Sequence, residues 1–243
     1  MTARLLVAPD QLVAGQIVVD GDGYGYLFRA RRLPVGAPVE LFDGAGRAAA
    51  AVVASVGPSQ AVLTVGAVVA QPRPGPHLTV LQALVKGERM DWCLEKLVEV
   101  GVDHVVPCET SRTVVRLDPA RRASRHQRFV ALAEAAARQC GRADVPTVGA
   151  IVPLAAALTA LTASRRLVAD PGGAPLAATA AAAPSVAILI GPEGGLAPDE
   201  LAAALDHGFE AVSLGPTILR AETAGMIVAA AVRLFAPTPP ATV

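Results

Sequence analysis

The chain has 243 residues, 53% of them hydrophobic, and its 21 lysines and arginines balance 21 aspartates and glutamates. This length and composition are those of a globular protein with one large domain, or with a small and a medium one. No segment approaches the roughly 20 apolar residues that span a bilayer, so we expect no association with the membrane. The N-terminus lacks the apolar core of a signal peptide, so we expect a cytoplasmic location. The three cysteines and four histidines show no ligand spacing, so neither a disulfide framework nor a metal site is expected.

Residues 1 to about 70 alternate short apolar runs with turns such as Asp20–Gly23. The pattern predicts strands without helices, which is typical of a small β-barrel. The predicted strands are Arg4–Val7, Gln16–Val19, Pro38–Phe42, Ala48–Ser55 and Ala61–Val69. The three prolines between Gln71 and Pro76 cannot continue a strand or a helix, so we place the domain boundary there, with domains at 1–71 and 77–243.

From His77 onward, predicted strands and helices alternate, which indicates an α/β domain with a mainly parallel sheet covered by helices. The strands are His77–Leu84, His104–Pro107, Thr147–Val148, Arg166–Ala169, Val186–Ile190 and Ala211–Leu214, and the helices are Gly87–Val100, Pro119–Gln139, Leu154–Ala163 and Glu222–Leu234. Pro171–Pro184 is interpreted as a mobile connector because it is rich in alanine, glycine and proline. The last helix lacks a polar face, so we expect it at a subunit interface.

Two glycine-bearing loops, Gly191–Leu196 and Gly215–Arg220, follow the last two predicted strands. We expect them at one edge of the sheet, where α/β proteins bind ligands. The first loop matches neither a P-loop nor a dinucleotide fingerprint, and by itself it is equally consistent with a tight turn into a helix at Pro198. The second loop places Arg220 near the positive end of an apolar helix, which an arginine does not stabilise, and this favours a role in binding.

The charges are distributed unevenly along the chain. Between Thr110 and Arg142 there are eight arginines, against Asp118 and Glu134. This segment is either an anion-binding surface or an exposed helix face.

The two loops, in the stretches LIGPEGGLAPDEL and LGPTILRAETA, together resemble the ribosomal RNA small-subunit methyltransferase E family (RsmE), a branch of the SPOUT methyltransferases. Other stretches match the family in order and spacing: LFDG at 41–44, KGERMD at 86–91, EVGV at 99–102, Arg112 and QCGR at 139–142. The resemblance covers nearly the full length.

This resemblance implies an RNA-binding PUA-like β-barrel at 1–71, followed by a SPOUT domain whose C-terminal segment forms a trefoil knot. It also implies a homodimer through the SPOUT domain that binds S-adenosylmethionine and methylates N3 of a specific uridine in 16S ribosomal RNA of the small ribosomal subunit. The implied cofactor-binding residues are Ala169, Asp170, Leu189, Ile190, Gly191, Gly194, Gly195, Leu214, Leu219 and Thr223.

Methylation at N3 requires the imide proton to be lost as N3 attacks the methyl group in line. A cation beside uracil O2 or O4 would stabilise the developing negative charge, and we assign Arg220 to this role. Glu193 and Glu222 are both candidates for orienting Arg220 or accepting the proton, and the sequence leaves this choice open.

RNA phosphates attract cations, and a second group of residues is assigned to them. These residues are Arg29, Arg32, Lys86, Arg89, Arg112, Arg116 and Arg142, whereas Arg121, Arg122, Arg125 and Arg128 are interpreted as a solvated helix face. Two alternatives stay open: a SPOUT methyltransferase acting on transfer RNA or a ribose 2′-hydroxyl, and a non-catalytic RNA-binding assembly factor.

The chain departs from the family pattern at three places. Pro216–Thr217 replaces a basic residue of the second loop, Arg138 stands where the family usually has glutamate, and Tyr26 stands where it often has histidine. These departures concern RNA docking and not the class of reaction.

Overall fold

The computed structural model describes residues 2–73, 75–115, 117–176 and 183–236. It contains two compact units. The first comprises Met1–Arg73 and Glu134–Val145, and the second comprises Pro74–Ala133 and Pro146–Val243. The long helix α3, Pro119–Cys140, therefore contributes its first part to the second unit and its last turns to the first.

The first unit is built on a six-stranded sheet with the order β1-β3-β4-β5-β2, in which β6 also pairs with β4. The strands are β1 (Ala3–Leu6), β2 (Gly15–Val19), β3 (Pro38–Phe42), β4 (Arg47–Val56), β5 (Ala61–Val65) and β6 (Val69–Ala70). β1 and β3 are parallel and the other pairs are antiparallel. Leu41 and Leu63 are among the residues that form the buried core of this sheet.

The sequence-based prediction of strands without helices in this unit is wrong for residues 21–30. Gly21–Tyr24 forms a helical turn, α1, which continues into a π-helical segment, Gly25–Ala30. Tyr24 and Leu27 are buried on this segment, and the Tyr24 hydroxyl donates a hydrogen bond to the Gly57 carbonyl at 2.7 Å. Burial of these side chains outweighs the turn preference of the preceding glycines and aspartates.

Arg4 connects the segment 134–145 to this sheet. Its guanidinium donates to Glu40 Oε1 at 2.7 and 3.0 Å, and to the carbonyls of Ala137 and Arg142 at 3.2 and 3.0 Å. These carbonyls lie at and just beyond the end of α3, where a cation also interacts favourably with the helix dipole.

Two of the positions that depart from the family pattern, Tyr26 and Arg138, lie in contact within the first unit. The Arg138 guanidinium carbon lies 5.0 Å from the centre of the Tyr26 ring, and that of Arg31 lies 5.8 Å from the same ring. Both distances are in the range of cation–π attraction. The two departures therefore form a single interaction.

The second unit contains a seven-stranded sheet in which every pair of strands is parallel, as the alternation of strands and helices predicts. The order is β10-β8-β7-β12-β11-β13, with β9 also paired to β8. The strands are β7 (His77–Ala83), β8 (His104–Glu109), β9 (Thr147–Val148), β10 (Val152–Pro153), β11 (Arg165–Pro175), β12 (Ser185–Ile190) and β13 (Glu210–Ser213).

Besides α3, the helices of this unit are α2 (Arg89–Glu99), α4 (Leu154–Ala160), α5 (Pro198–Asp206) and α6 (Ala221–Phe235). α6 packs against α2, β7 and β12. At this contact an added Cβ on Gly225 would lie 2.9 Å from Gln82 Oε1, so the glycine permits the close approach of helix and sheet. No helix in the described ranges is long and apolar enough to cross a membrane.

The interpretation of Pro171–Pro184 as a mobile connector is wrong for its first part. β11 continues to Pro175, and after a register shift Ala174 and Pro175 pair with Val212 and Ser213 of β13. The backbone contact is so close that a Cβ on Gly173 would lie 2.4 Å from the carbonyl carbon of Ala211. Residues 177–182 of the predicted connector lie outside the described residues.

Candidate active site

The three neighbouring parallel strands β12, β11 and β13 end at the same edge of the sheet. The loop 191–196 follows β12, and the loop 214–220 follows β13 and leads into α6. The expectation that two glycine loops meet at a sheet edge is confirmed, because both loops line one cavity of about 410 Å³. An adjoining hollow of about 260 Å³ lies between residues 169–171 and the second loop.

Most of the residues predicted to bind the cofactor lie at these two hollows. Ala169, Asp170, Ile190, Gly191, Gly195 and Leu219 line the larger cavity, and Leu214 lines the adjoining hollow. The other three do not line either: Leu189 is buried in the core, Gly194 faces Arg112, and Thr223 lies in the first turn of α6, where its N–H donates to the Arg220 carbonyl.

A neighbouring turn holds the first loop in place. Arg112 Nη1 donates to the carbonyls of Gly194 at 2.8 Å and Leu196 at 3.2 Å. The carboxylate of Glu200 accepts hydrogen bonds from the Ser111 N–H and hydroxyl, at 2.7 and 3.1 Å, and from the Ala197 N–H at 3.0 Å. These hydrogen bonds fix the loop at Gly194, in its middle, and at Leu196 and Ala197, at its end. The pairing of Ser111 with Glu200 was not predicted from the sequence, because nothing local signals a partner 89 residues away.

Two charged candidates for catalysis, Arg220 and Glu193, line the cavity. Arg220 is exposed at the N-cap position of α6, and no carboxylate among the residues of known placement pairs with it. Glu193 Oε1 accepts a hydrogen bond from the Lys86 N–H at 3.2 Å. A cation at the positive end of a helix, without a carboxylate partner, makes this part of the cavity suited to an anion or to developing negative charge.

The third candidate, Glu222, does not line the cavity. It is 6% exposed, and its Oε1 lies 3.9 Å from Nε of Arg89, which does line the cavity. Burial, and to a lesser extent the charge of Glu222, raises the pKa of the Cys93 thiol to about 12. Cys93 in turn donates to Gln82 Oε1 at 3.5 Å. Gln82 is the lone glutamine of the apolar strand β7. This feature of the sequence could have predicted a buried polar cluster around it.

The residues assigned to RNA phosphates are distributed over both units. Arg29, Arg32 and Arg142 belong to the first unit, Lys86, Arg89 and Arg112 belong to the second, and Arg116 lies outside the described residues. Arg29 lies 5.7 Å from the centre of the Tyr24 ring, and Arg142 pairs with Asp144 at 2.8 Å. Within the described ranges, no group of three His, Cys, Asp or Glu side chains is placed to hold a metal ion.

Comparisons with known proteins identify the family of the chain. A family model described as an RNA methyltransferase domain matches residues 72–233. A ribosomal RNA small subunit methyltransferase E from Mycobacterium bovis is 36% identical over 230 residues, covering 88% of this chain and 85% of the relative.

Two solved structures are also similar. The ribosomal RNA small subunit methyltransferase E of Neisseria gonorrhoeae, bound to S-adenosyl methionine, matches with a TM-score of 0.85 and 30% identity, covering 95% of this chain and 96% of that one. A putative methyltransferase of Legionella pneumophila, in complex with bound S-adenosylmethionine, has a TM-score of 0.87 and 26% identity, with 96% and 98% covered. The chain therefore belongs to the ribosomal RNA small subunit methyltransferase E family.

Proposed function

We propose that this protein uses S-adenosylmethionine to methylate N3 of a specific uridine in the 16S ribosomal RNA of the small ribosomal subunit. The observation that carries the proposal is the cavity at the sheet edge, which both glycine loops line and to which Arg220 contributes a cation. Action on ribosomal RNA supports a cytoplasmic location.

The cavity fits an adenosyl group in size and in chemistry. Its walls include apolar side chains of Ala169, Ile190 and Leu219, alongside the backbone of the first loop. Mainly apolar walls with a few backbone donors and acceptors are typical of cofactor sites of this volume. Gly195 in this loop has a φ of +70°, which favours glycine and lets the loop turn beside the cavity.

When bound, S-adenosylmethionine supplies an electrophilic methyl group on its sulfonium. The protein must remove the uridine N3 proton and stabilise the negative charge that develops on the uracil oxygens. We assign charge stabilisation to Arg220. Of the two carboxylates, Glu193 is the better candidate to accept the proton because it lines the cavity, whereas Glu222 is buried away from it.

Arg112 is expected to act on the cofactor through the first loop. Arg112→Ala removes the donors to Gly194 and Leu196 and should weaken S-adenosylmethionine binding by about fivefold, the net effect of one or two exposed hydrogen bonds. Calorimetry measures this, with Arg121→Ala on the exposed face of α3 as the matched control. Unchanged cofactor affinity with weaker RNA binding and a smaller salt dependence would instead assign Arg112 to RNA phosphates.

The topology supports a trefoil knot in the second unit. β13 lies at one edge of the sheet, yet α6, which follows it, packs against β7 and β12 in the interior of the sheet. We propose that the chain threads through a loop between the end of β13 and α6. For the first unit, with its six strands, we propose the PUA-like barrel and the RNA-binding role. The proposed domain limits along the sequence are 1–71 and 77–243, although residues 134–145 belong to the first compact unit.

A homodimer through the second unit is supported by exposed apolar side chains on two helices that pack together. Trp92 on α2 and Ile227 on α6 are exposed, as are Leu234 and Phe235 at the end of α6. Exposed apolar side chains on neighbouring helices favour association with another copy over contact with water.

The proposal is tested by incubating the protein with labelled S-adenosylmethionine and, separately, assembled small subunits, naked 16S ribosomal RNA and transfer RNA. Mass spectrometry should locate one N3-methyluridine in the small-subunit RNA. A 2′-O-methyl ribose or a labelled transfer RNA would instead support another target. Binding of the subunit without methyl transfer would identify a non-catalytic assembly factor.

A further inference from the structure

A second cation, Arg89, opens into the same cavity as Arg220. Arg89 is the first residue of α2, and its side chain lines the cavity while remaining about half exposed. An arginine at this position opposes the dipole of its own helix, so it does not stabilise α2. The cavity thus has an arginine from the start of each of two helices, α2 and α6, besides the carboxylates of Asp170 and Glu193. These two arginines are the groups on its lining that can bind an anion.

Glu222 lies beside Arg89 but does not itself line the cavity. The Glu222 side chain is 8% exposed, its Oε1 lies 3.9 Å from Arg89 Nε, and its Oε2 has no hydrogen-bond partner among the described residues. Burial of a carboxylate with an unpartnered oxygen costs free energy, and the Cys93 thiol beside it stays neutral at physiological pH. We infer that this carboxylate acts on its surroundings mainly through its charge. The cation that it approaches is Arg89.

We propose that Arg89 binds an oxyanion in the cavity and that Glu222 is a positioning residue that holds the Arg89 guanidinium there. The oxyanion is either the carboxylate of the amino-acid part of S-adenosylmethionine or a phosphate of the RNA next to the target uridine. This inference rests on the proposed cofactor and substrate class. Glu222 acts through Arg89 and does not serve as the proton acceptor.

Binding measurements separate the two sources of the oxyanion without requiring methyl transfer. Calorimetry compares S-adenosylhomocysteine with 5′-methylthioadenosine, which lacks the amino-acid carboxylate. If Arg89 binds that carboxylate, Arg89→Ala lowers the affinity for S-adenosylhomocysteine about tenfold and leaves the affinity for 5′-methylthioadenosine unchanged. If it binds a phosphate, both ligands bind normally, and the dissociation constant for RNA rises about tenfold with a smaller salt dependence.

The positioning role is tested with Glu222→Gln, which keeps the shape and removes the charge. Glu222→Gln should lower the same affinity that Arg89→Ala lowers, for S-adenosylhomocysteine or for RNA, but by a smaller factor. The double variant should bind no more weakly than Arg89→Ala alone, since Glu222 acts only through Arg89. Glu99→Gln, at a surface carboxylate that pairs with Lys96, is the matched control.

Two results would overturn the inference. Unchanged affinity of Arg89→Ala for both S-adenosylhomocysteine and RNA would exclude the oxyanion site, and additive effects of Arg89→Ala and Glu222→Gln would exclude the positioning role. Thermal melting checks that the variants fold. Failure of the proposed function is recognised separately, since in that case the unaltered protein would bind neither S-adenosylhomocysteine nor 5′-methylthioadenosine, or would modify a different nucleotide.

Discussion

Arg220→Ala is expected to lower the rate of methyl transfer by about 10² to 10³-fold while the affinity for S-adenosylmethionine changes little. The guanidinium lines the cavity and would face charge that develops only as the N3 proton leaves. The backbone of Arg220 begins α6 by accepting the N–H groups of Thr223 and Ala224 at 2.9 and 2.8 Å, and alanine keeps these bonds. The side chain can therefore be removed without disturbing the helix.

Single-turnover rates with saturating cofactor measure the loss, and calorimetry measures cofactor binding in parallel. Arg121→Ala, at an exposed arginine of α3 whose partner is Asp118, serves as the control and should retain full activity. A parallel loss of cofactor affinity and activity would contradict the assignment, because Arg220 would then act in binding and not on the uracil.

Gly173→Ala is expected to lower the free energy of unfolding by about 3 kcal/mol, the upper part of the range for overpacking. The added Cβ would lie 2.4 Å from the carbonyl carbon and 2.5 Å from the amide nitrogen on either side of the peptide bond between Ala211 and Val212. These are backbone atoms of β13, so the collision is relieved only if β11 and β13 separate. The measurement is urea unfolding, and the variant should also bind S-adenosylmethionine less tightly, because Asp170 and Pro171 of β11 line the cavity.

Gly172→Ala is the matched control for this prediction. Its Cβ would lie 3.1 Å from Asp170 Oδ1, a side-chain atom that can move away at the cost of the exposed hydrogen bond that it accepts from the Gly172 N–H at 2.8 Å. The expected cost is below about 1 kcal/mol, as for a surface change without a backbone collision. If the two variants unfold at the same urea concentration, the close backbone contact at Gly173 does not exist in solution.

Local pattern was sufficient to predict the elements that carry the site. Val186–Ile190 and Ala211–Leu214 are apolar runs followed by glycine, and the structure has strands at Ser185–Ile190 and Glu210–Ser213. Such runs are informative because a strand buried on both faces must be apolar throughout, and the chain must turn where it leaves the sheet.

The pattern failed where a tertiary contact outweighed local preference. Glycine and proline in residues 171–175 predicted a connector, but this segment pairs with β13 at the edge of the sheet. Residues 21–30 begin with a turn sequence, but Tyr24 and Leu27 bury their side chains and the segment is helical. In both segments, burial and hydrogen bonds with distant residues contribute more than the intrinsic preferences.

The sequence by itself determined the class of the second unit, the two loops at the edge of its sheet and the resemblance to RsmE, because strand and helix periodicity and the residues of a motif are local properties. Only the tertiary structure decided what each charged side chain faces. It placed Arg112 on the carbonyls of the first loop, Arg89 at the cavity beside the expected Arg220, and Glu222 in a buried position next to Arg89. The direction of a side chain depends on which distant strand or helix packs beside it, and a pattern of neighbouring residues does not contain that information.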